Sequence, residues 1–258
     1  MLVKAKDLNG FKLGARDGEI GKVKEFYFDD RSWTIRYLVV DTGDWLTDRR
    51  VLISPYALDA AVAETQTIPV NLTRKQIEDS PDLDRHKPVS RQYEMAYYPY
   101  YGWPAYWGGV DVWGASPYPT RAESGWIEPV GQQQAGSEDP HLRSTDSVGH
   151  YSIEAQDGEI GHIKDFVIDD ETWNIRYLIV GTKNWWPGKK VLISTSWIDT
   201  VSWADAQVKI HMTRESVRES PEFSDAALIN RDYENHLYRH YGHAGYWDHS
   251  RAAAGKST

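Results

Sequence analysis

The chain repeats itself. Residues 17–40 read "DGEIGKVKEFYFDDRSWTIRYLVV", and 140 positions later, without a gap, residues 157–180 read "DGEIGHIKDFVIDDETWNIRYLIV". The same offset aligns "VLISPYALD" (51–59) with "VLISTSWID" (191–199) and "VNLTRKQIEDSP" (70–81) with "IHMTRESVRESP" (210–221). It also aligns "RQYE" (91–94) with "RDYE" (231–234), and holds as far as "YW" at 106–107 and 246–247. A register kept over about a hundred residues means duplication of one folding unit. With two copies the chain is a tandem pair and not a solenoid.

The expected organisation follows: a first repeat with its tail over 1–107, a linker over 108–140, a second repeat with its tail over 141–247, and a disordered C-terminus over 248–258. The linker is rich in Gly, Pro, Ser and Gln and lacks sustained periodicity. It also carries Trp113, Trp126 and Ile127, so part of it can dock on a domain surface.

Within each copy the pattern is β. Asp17-Gly18 and Asp157-Gly158 suit the centre of a type I′ hairpin, where both residues need positive φ. "IGKVKEFYF" holds a Gly suited to a bulge, and "DDRSW" or "DDETW" supplies a second turn. "WTIRYLVV" is a central strand, with Trp33, Ile35, Tyr37 and Val39 on one face and Arg36 on the other. "RRVLIS" and "KKVLIS" are short strands, followed by another that turns Ile68, Val70 and Leu72 inward and carries Pro69 on its other face, as at an edge or bulge. Thr73 and Gln76 form a capping box for a short helix that stops before Pro81, whereas Thr213 keeps the cap but Ser216 replaces the Gln. Five or six short strands per copy predict a mainly all-β chain of two small barrels in tandem, each followed by short helices and an aromatic-rich tail.

The D-G-x-x-G turn, the D-D turn, the W-x-I-R-Y strand and the V-L-I-S strand, over about residues 8–80 and 148–220, resemble the PRC-barrel family. That family includes the cytoplasmic part of the photosynthetic reaction-centre H subunit and the C-terminal domain of a ribosome-maturation factor. The resemblance implies adaptor-like barrels, and the chain looks most like the stand-alone, two-barrel bacterial members. Neither the transmembrane helix of the H subunit nor the separate N-terminal domain of the maturation factor is expected in this chain.

Composition narrows the function classes. The chain has no cysteine, which removes disulfides, thiol nucleophiles and zinc–thiolate clusters and fits a reducing cytoplasm. No signal-peptide core is present and nowhere do about eighteen apolar residues follow one another, so the expected location is cytoplasmic, without membrane insertion. A net charge of −9 and a pI near 5.5 disfavour nucleic acid, whose phosphates call for a surplus of Lys and Arg.

Candidate sites are few. Asp29-Asp30 and Asp169-Asp170 could join a hard-cation site, with Asp41, Asp44 and Asp48 nearby, but the equivalents of the last three are Gly181, Asn184 and Gly188, so turn chemistry is the better reading. His236 and His240 share a helical face and His243 follows, a spacing that can bind Zn, Ni or Cu. The first copy has Ala96, Tyr100 and Trp103 there, so surface histidines are the favoured reading and neither metal nor cofactor is expected. Ser54 and Ser194 read as strand-end residues, and no hydrolytic or nucleotide-binding motif is present.

The tails "YEMAYYPYYGWPAYW" (93–107) and "YENHLYRHYGHAGYW" (233–247) hold Tyr and Trp at a density seldom left in water. They can fold back on the barrels or present a surface for a protein partner, a homodimer included, with packing between copies or chains preferred to an external ligand site. The candidate interaction residues are Trp45, Tyr97, Tyr101, Trp103, Trp107, Trp185, Trp186, Trp197, Tyr246 and Trp247. The expectation is a non-enzymatic interaction or assembly module. The alternatives are an H-subunit-like protein associated peripherally with a membrane electron-transfer complex, and a metal- or small-ligand-binding protein using the His-rich tail.

Overall fold

A computed structural model describes residues 1–46, 49–83, 88–120, 141–182, 188–225 and 228–248. The chain divides into two compact units: the first holds Met1, residues 3–148 and 167–176, and the second holds Leu2, residues 149–166 and 177–258. Of the expected linker, residues 108–120 are described and belong to the first unit, while Trp126 and Ile127 lie outside the described residues.

The elements run β1 (Leu2–Lys4), α1 (Ala5–Leu8), β2 (Lys12–Ala15), β3 (Gly18–Asp29), β4 (Thr34–Asp41), β5 (Val51–Ile53), β6 (Thr67–Pro69), α2 (Arg74–Glu78) and α3 (Arg91–Tyr101). They continue with β7 (Leu142–Ser144), α4 (Thr145–Val148), β8 (Ser152–Ala155), β9 (Gly158–Asp169), β10 (Ile175–Gly181), β11 (Lys190–Ser194), β12 (Ile198–Ser202), β13 (Gln207–Ile210), α5 (Arg214–Glu219) and α6 (Arg231–His240). One sheet has the order β5-β4-β3-β2-β6, with β7 paired to β3. The other has the path β11-β10-β9-β8-β13-β12, with β1 as its seventh strand. The chain is thus mainly β, in two short-stranded sheets with few helices.

The long strand β3 organises the first unit, pairing antiparallel with both β2 and β4. Gly21 allows the bend in β3: its φ is 154°, and a Cβ there would lie 2.2 Å from the Asp41 carbonyl oxygen. The bulge expected near it is present, as Leu13 pairs with Gly21 but Gly14 pairs with Glu19. Gly161 is held in the same way against the Gly181 carbonyl in the second unit. No other residue type fits these two places.

The β2–β3 turn differs from the expected type. Ala15 pairs with Gly18, which leaves Arg16 and Asp17 as the two loop residues, and of the Asp17-Gly18 pair only Gly18 has positive φ. Asp17 has another use: its Oδ1 accepts the backbone N–H of Arg74 at 2.7 Å, at the start of α2. Asp157 does the same for Arg214 at the start of α5, also at 2.7 Å. Each carboxylate takes up one of the amides a helix N-terminus leaves unpaired. Thr73 and Gln76 form the complete capping box, whereas Thr213 accepts from Ser216 alone.

β4 is central, lying between β3 and β5, and its residues from Thr34 to Val40 are buried on both faces. Trp33, placed on this strand by alternation, instead precedes it with φ of 53°, and Trp173 repeats the conformation at 59°. Trp33 is held there by its N–H bond to the Asp29 carbonyl and by stacking on Phe28 at 5.1 Å. Ile68, Val70 and Leu72 are buried as their alternation requires. β6 pairs with β2 on one side, while among the described residues its other side meets isolated bridges, Val62 to Thr67 and Leu58 to Val70 just beyond the strand. In the second unit, where Lys209 replaces Pro69, the equivalent position pairs with a five-residue strand, β12. The missing N–H of proline suits the weaker edge.

Candidate functional site

The first-unit tail is anchored through one carboxylate. Ser90 caps α3 by accepting the Tyr93 N–H, and Gly102 ends the helix at φ 70°, bonding back to Pro99. That span turns Glu94, Tyr97 and Tyr98 onto the barrel. Glu94 is wholly buried. Its Oε1 accepts the hydroxyls of Tyr37 on β4 and Tyr106 at the tail end, both at 2.9 Å. Its Oε2 lies 2.8 Å from Arg91 Nη1 and 2.9 Å from His141 Nε2. A carboxylate that accepts two phenol hydrogen bonds and lies against the Arg91 guanidinium and the His141 ring is compensated for its burial.

The second unit repeats the arrangement. Glu234 Oε1 accepts from Tyr177 at 2.6 Å and Tyr246 at 3.0 Å, and Arg231 lies 3.0 Å from Oε2. Burial, and then the neighbouring Glu94 charge, push the Tyr37 hydroxyl well above its usual range. In Tyr177, burial is again the first cause, followed by Tyr238 and Glu234. Both phenols therefore stay protonated donors, and both carboxylates are engaged as acceptors inside the fold.

Aromatic packing surrounds this centre. Tyr37 meets Tyr97 edge-on at 5.4 Å, and Tyr97 donates to the Leu52 carbonyl at 2.8 Å. Trp113 is 1% exposed, its Nε1 donates to the Thr172 carbonyl at 2.8 Å, and the Trp113 carbonyl accepts the Tyr56 hydroxyl at 3.1 Å. Burial pushes the Tyr56 hydroxyl up to about 12. The buried Arg36 guanidinium lies 3.7 Å from the Tyr106 ring centre and 4.8 Å from that of Trp113, and donates to the Val112 carbonyl at 2.5 Å. Ring faces and a carbonyl thus replace water around a buried cation.

The candidate interaction residues fall into three groups. Tyr97, Trp103 and Trp197 are 1%, 8% and 6% exposed, so they pack inside their own units and offer no surface. Trp103 stacks on Tyr56 at 5.9 Å, and Trp197 stacks on His243 at 5.2 Å. Trp45, Tyr101, Trp107, Tyr246 and Trp247 are part-exposed. Trp45 carries the Arg74 guanidinium at 4.5 Å, and Tyr101 stacks on Trp103 at 4.5 Å. Trp185 and Trp186 lie outside the described residues.

Two members of the second group form a repeated element. Arg91 lies 4.3 Å from the Trp107 ring centre, and Arg231 lies 4.1 Å from that of Trp247. Tyr98 meets Trp107 edge-on at 5.3 Å, as Tyr238 meets Trp247 at 5.0 Å. The Arg that pairs with the buried Glu thus also holds a part-exposed indole.

The paired aspartates act as turns, as read. Asp29 Oδ1 accepts the N–H groups of Arg31 and Ser32, and Asp169 Oδ1 accepts that of Glu171. Burial raises Asp30 despite its ion pair with Arg143. Burial also opposes ionisation of Asp169, but bonding to the Arg176 guanidinium outweighs it and holds the carboxyl below its usual range. Among the described residues no three His, Asp or Glu side chains are grouped to hold a metal ion. His236 is exposed, His240 bonds to the Ser216 carbonyl at 2.7 Å, and His243 lies on Trp197.

Sequence reasoning passed over Glu94, Glu234 and His141. The first two were visible as the last letter of "RQYE" and "RDYE", an acid kept in the same place within two aromatic tails. His141 had no such signal, because its aligned residue is Met1.

The family model described as PRC-barrel domain matches residues 2–77 and 153–210, one segment in each repeat. No curated protein matches the chain. Two matched segments that together span more than half of the sequence, each coinciding with a bulged and mainly antiparallel sheet, place the chain in the PRC-barrel family.

Proposed function

We propose that this protein is a non-enzymatic tandem PRC-barrel module that binds a protein partner through its tails. The observation that carries the reading is the repeated Arg–Trp element, Arg91 with Trp107 and Arg231 with Trp247. Trp, Tyr and Arg are the residues that most often dominate binding energy at interfaces. Here each indole is held by its neighbours, so docking a partner on it costs little ordering entropy. The two buried carboxylates of the tails, Glu94 and Glu234, are tied into the fold as acceptors, which favours a binding role over a catalytic one.

The test is affinity capture from the source cells with the full chain, comparing wild type with Trp107→Ala/Trp247→Ala. The expected result is a stoichiometric partner that is retained by wild type and reduced at least about tenfold in the double variant, or about 1.4 kcal/mol. Capture unaffected by the double substitution overturns the tail reading.

A further inference from the structure

The first unit contains residues that follow the linker in sequence. β7 lies antiparallel on β3, with Tyr27 opposite Ser144, Phe28 opposite Arg143 and Asp29 opposite Leu142. The segment answers the polar groups of β3 one by one. The Asp30 N–H donates to the His141 carbonyl at 3.0 Å, and the buried Phe26 N–H donates to Thr145 Oγ1 at 3.1 Å. Arg143 donates through Nε and Nη2 to Asp30 Oδ2, both at 2.9 Å. Ser144 donates to the Glu25 carboxylate. Val148, at the end of α4, is 1% exposed. The His141 ring reaches Glu94 at 2.9 Å and Tyr106 at 3.1 Å.

A second stretch from beyond the linker, 167–176, closes on β4 in the same unit. Ile35 N–H donates to the Trp173 carbonyl at 2.8 Å and Ile175 N–H to that of Trp33 at 2.7 Å. Thr34 Oγ1 donates to Asn174 Oδ1, also at 2.7 Å.

We propose that the β3 edge, together with Glu94 and Tyr106, is a receptor for a strand-and-turn segment, and that residues 141–148 are its ligand. The mode is β-strand addition, in which backbone bonds supply affinity and alternate side chains supply selectivity. The first unit is completed non-covalently, and the peptide connection through 121–140 is not needed to keep its parts together. The duplication itself supplies a decoy of the same length, residues 1–8. There Met1, Val3 and Ala5 stand in place of His141, Arg143 and Thr145, so the bonds to Glu94, Asp30 and Phe26 have no side-chain counterpart. The receptor is therefore selective for the segment that follows the linker. This inference stands apart from the tail reading, since Trp107 and Trp247 take no part in it.

The experiment uses the full chain with a specific protease site placed within 121–140 and cut after purification. The two pieces are expected to migrate together at the mass of the uncut chain, with the amides of β3 as protected from hydrogen exchange as before cutting. Separation or aggregation of the pieces on cutting overturns the proposal. In the cut protein, Arg143→Glu sets a like charge against Asp30 and is expected to raise the dissociation constant at least about tenfold. Thr145→Ala is expected to raise it less, and the exposed Glu64→Gln not at all. Pieces that stay together equally well in all three variants would also overturn it, because the association would then not depend on the segment.

Discussion

The two tails start from the same register and are anchored to different depths. In the first unit Glu94 gathers Tyr37, Tyr106, Arg91 and His141, and Trp113 seals the ring cluster beside it. In the second unit Glu234 gathers Tyr177, Tyr246 and Arg231 among the described residues. The extra indole comes from the expected linker, 108–140, and the extra ring nitrogen from His141, the first residue of the second repeat. What the copies share, the buried Glu between two tyrosines and an arginine, is what each barrel needs to hold its helix. What they do not share is added to the first unit from beyond its own repeat.

The wall compensates in part. The second unit has Ser196 where the first has Tyr56, but Trp197 where the first has Ala57. Its indole packs on Tyr238 and Tyr241, both at 4.9 Å. The large ring has moved one position along the chain, and the stack with residue 103 or 243 is retained in each unit.

The largest contrast is expected from removing the carboxylates. Glu94→Ala leaves Arg91 and His141 facing a buried void and should cost about 3–5 kcal/mol. Glu234→Ala should cost about 1–3 kcal/mol, since Arg231 is half exposed and its ion pair is screened by water. Hydrogen exchange along α3 and α6 in the full chain measures each loss separately, and equal losses would remove the distinction between the tails. Trp113→Ala should cost a further unit-specific amount of about 3–5 kcal/mol, the usual range for a buried indole, with faster exchange in β4 and α3 and none added in α6.

Alkaline pH should expose the tyrosine clusters next. Burial raises Tyr56, Tyr101 and Tyr241 to about 12. An unfolded tyrosine ionises near the ordinary value of about 10, so above that pH the unfolded chain binds fewer protons than the folded one. The stabilisation is therefore complete below pH 10 and is lost as the pH rises from 10 towards 12. Phenolate absorbance should lag in the folded protein and then rise together with unfolding. Tyr56→Phe should remove that residue's share of the loss, whereas an unchanged alkaline midpoint would count against its burial. The smallest difference concerns the helix caps. Thr73→Ala should cost about 1 kcal/mol and Thr213→Ala less, because only the first belongs to a reciprocal box, and denaturant midpoints of the two variants compare them directly.

Much of the fold was legible from particular residues. Gly21 announced the bulge, the Ile68–Leu72 alternation announced its buried face, and Thr73 announced the helix it caps, because each rule acts within a few residues along the chain. Asp17-Gly18 marked the right turn but the wrong residues for its centre. The carboxylate was already taken by the Arg74 amide, 57 residues away. The aromatic tails were legible as rings in need of burial, but not which rings would go in: Tyr97 and Trp103 did, and Trp107 and Trp247 stayed part-exposed.

The sequence by itself therefore determined the duplication, the β pattern, the turns and the caps, since periodicity and local hydrogen bonding depend on near neighbours. Only the tertiary structure decided that Glu94 and Glu234 anchor the tails, that Trp113 leaves the linker for the core, and that residues 141–148 lie on β3. Those outcomes depend on which donors, rings and open strand edges meet across long stretches of chain. A buried carboxylate or an unpaired edge is stabilised by whatever partner space brings to it, and the order of letters does not say which.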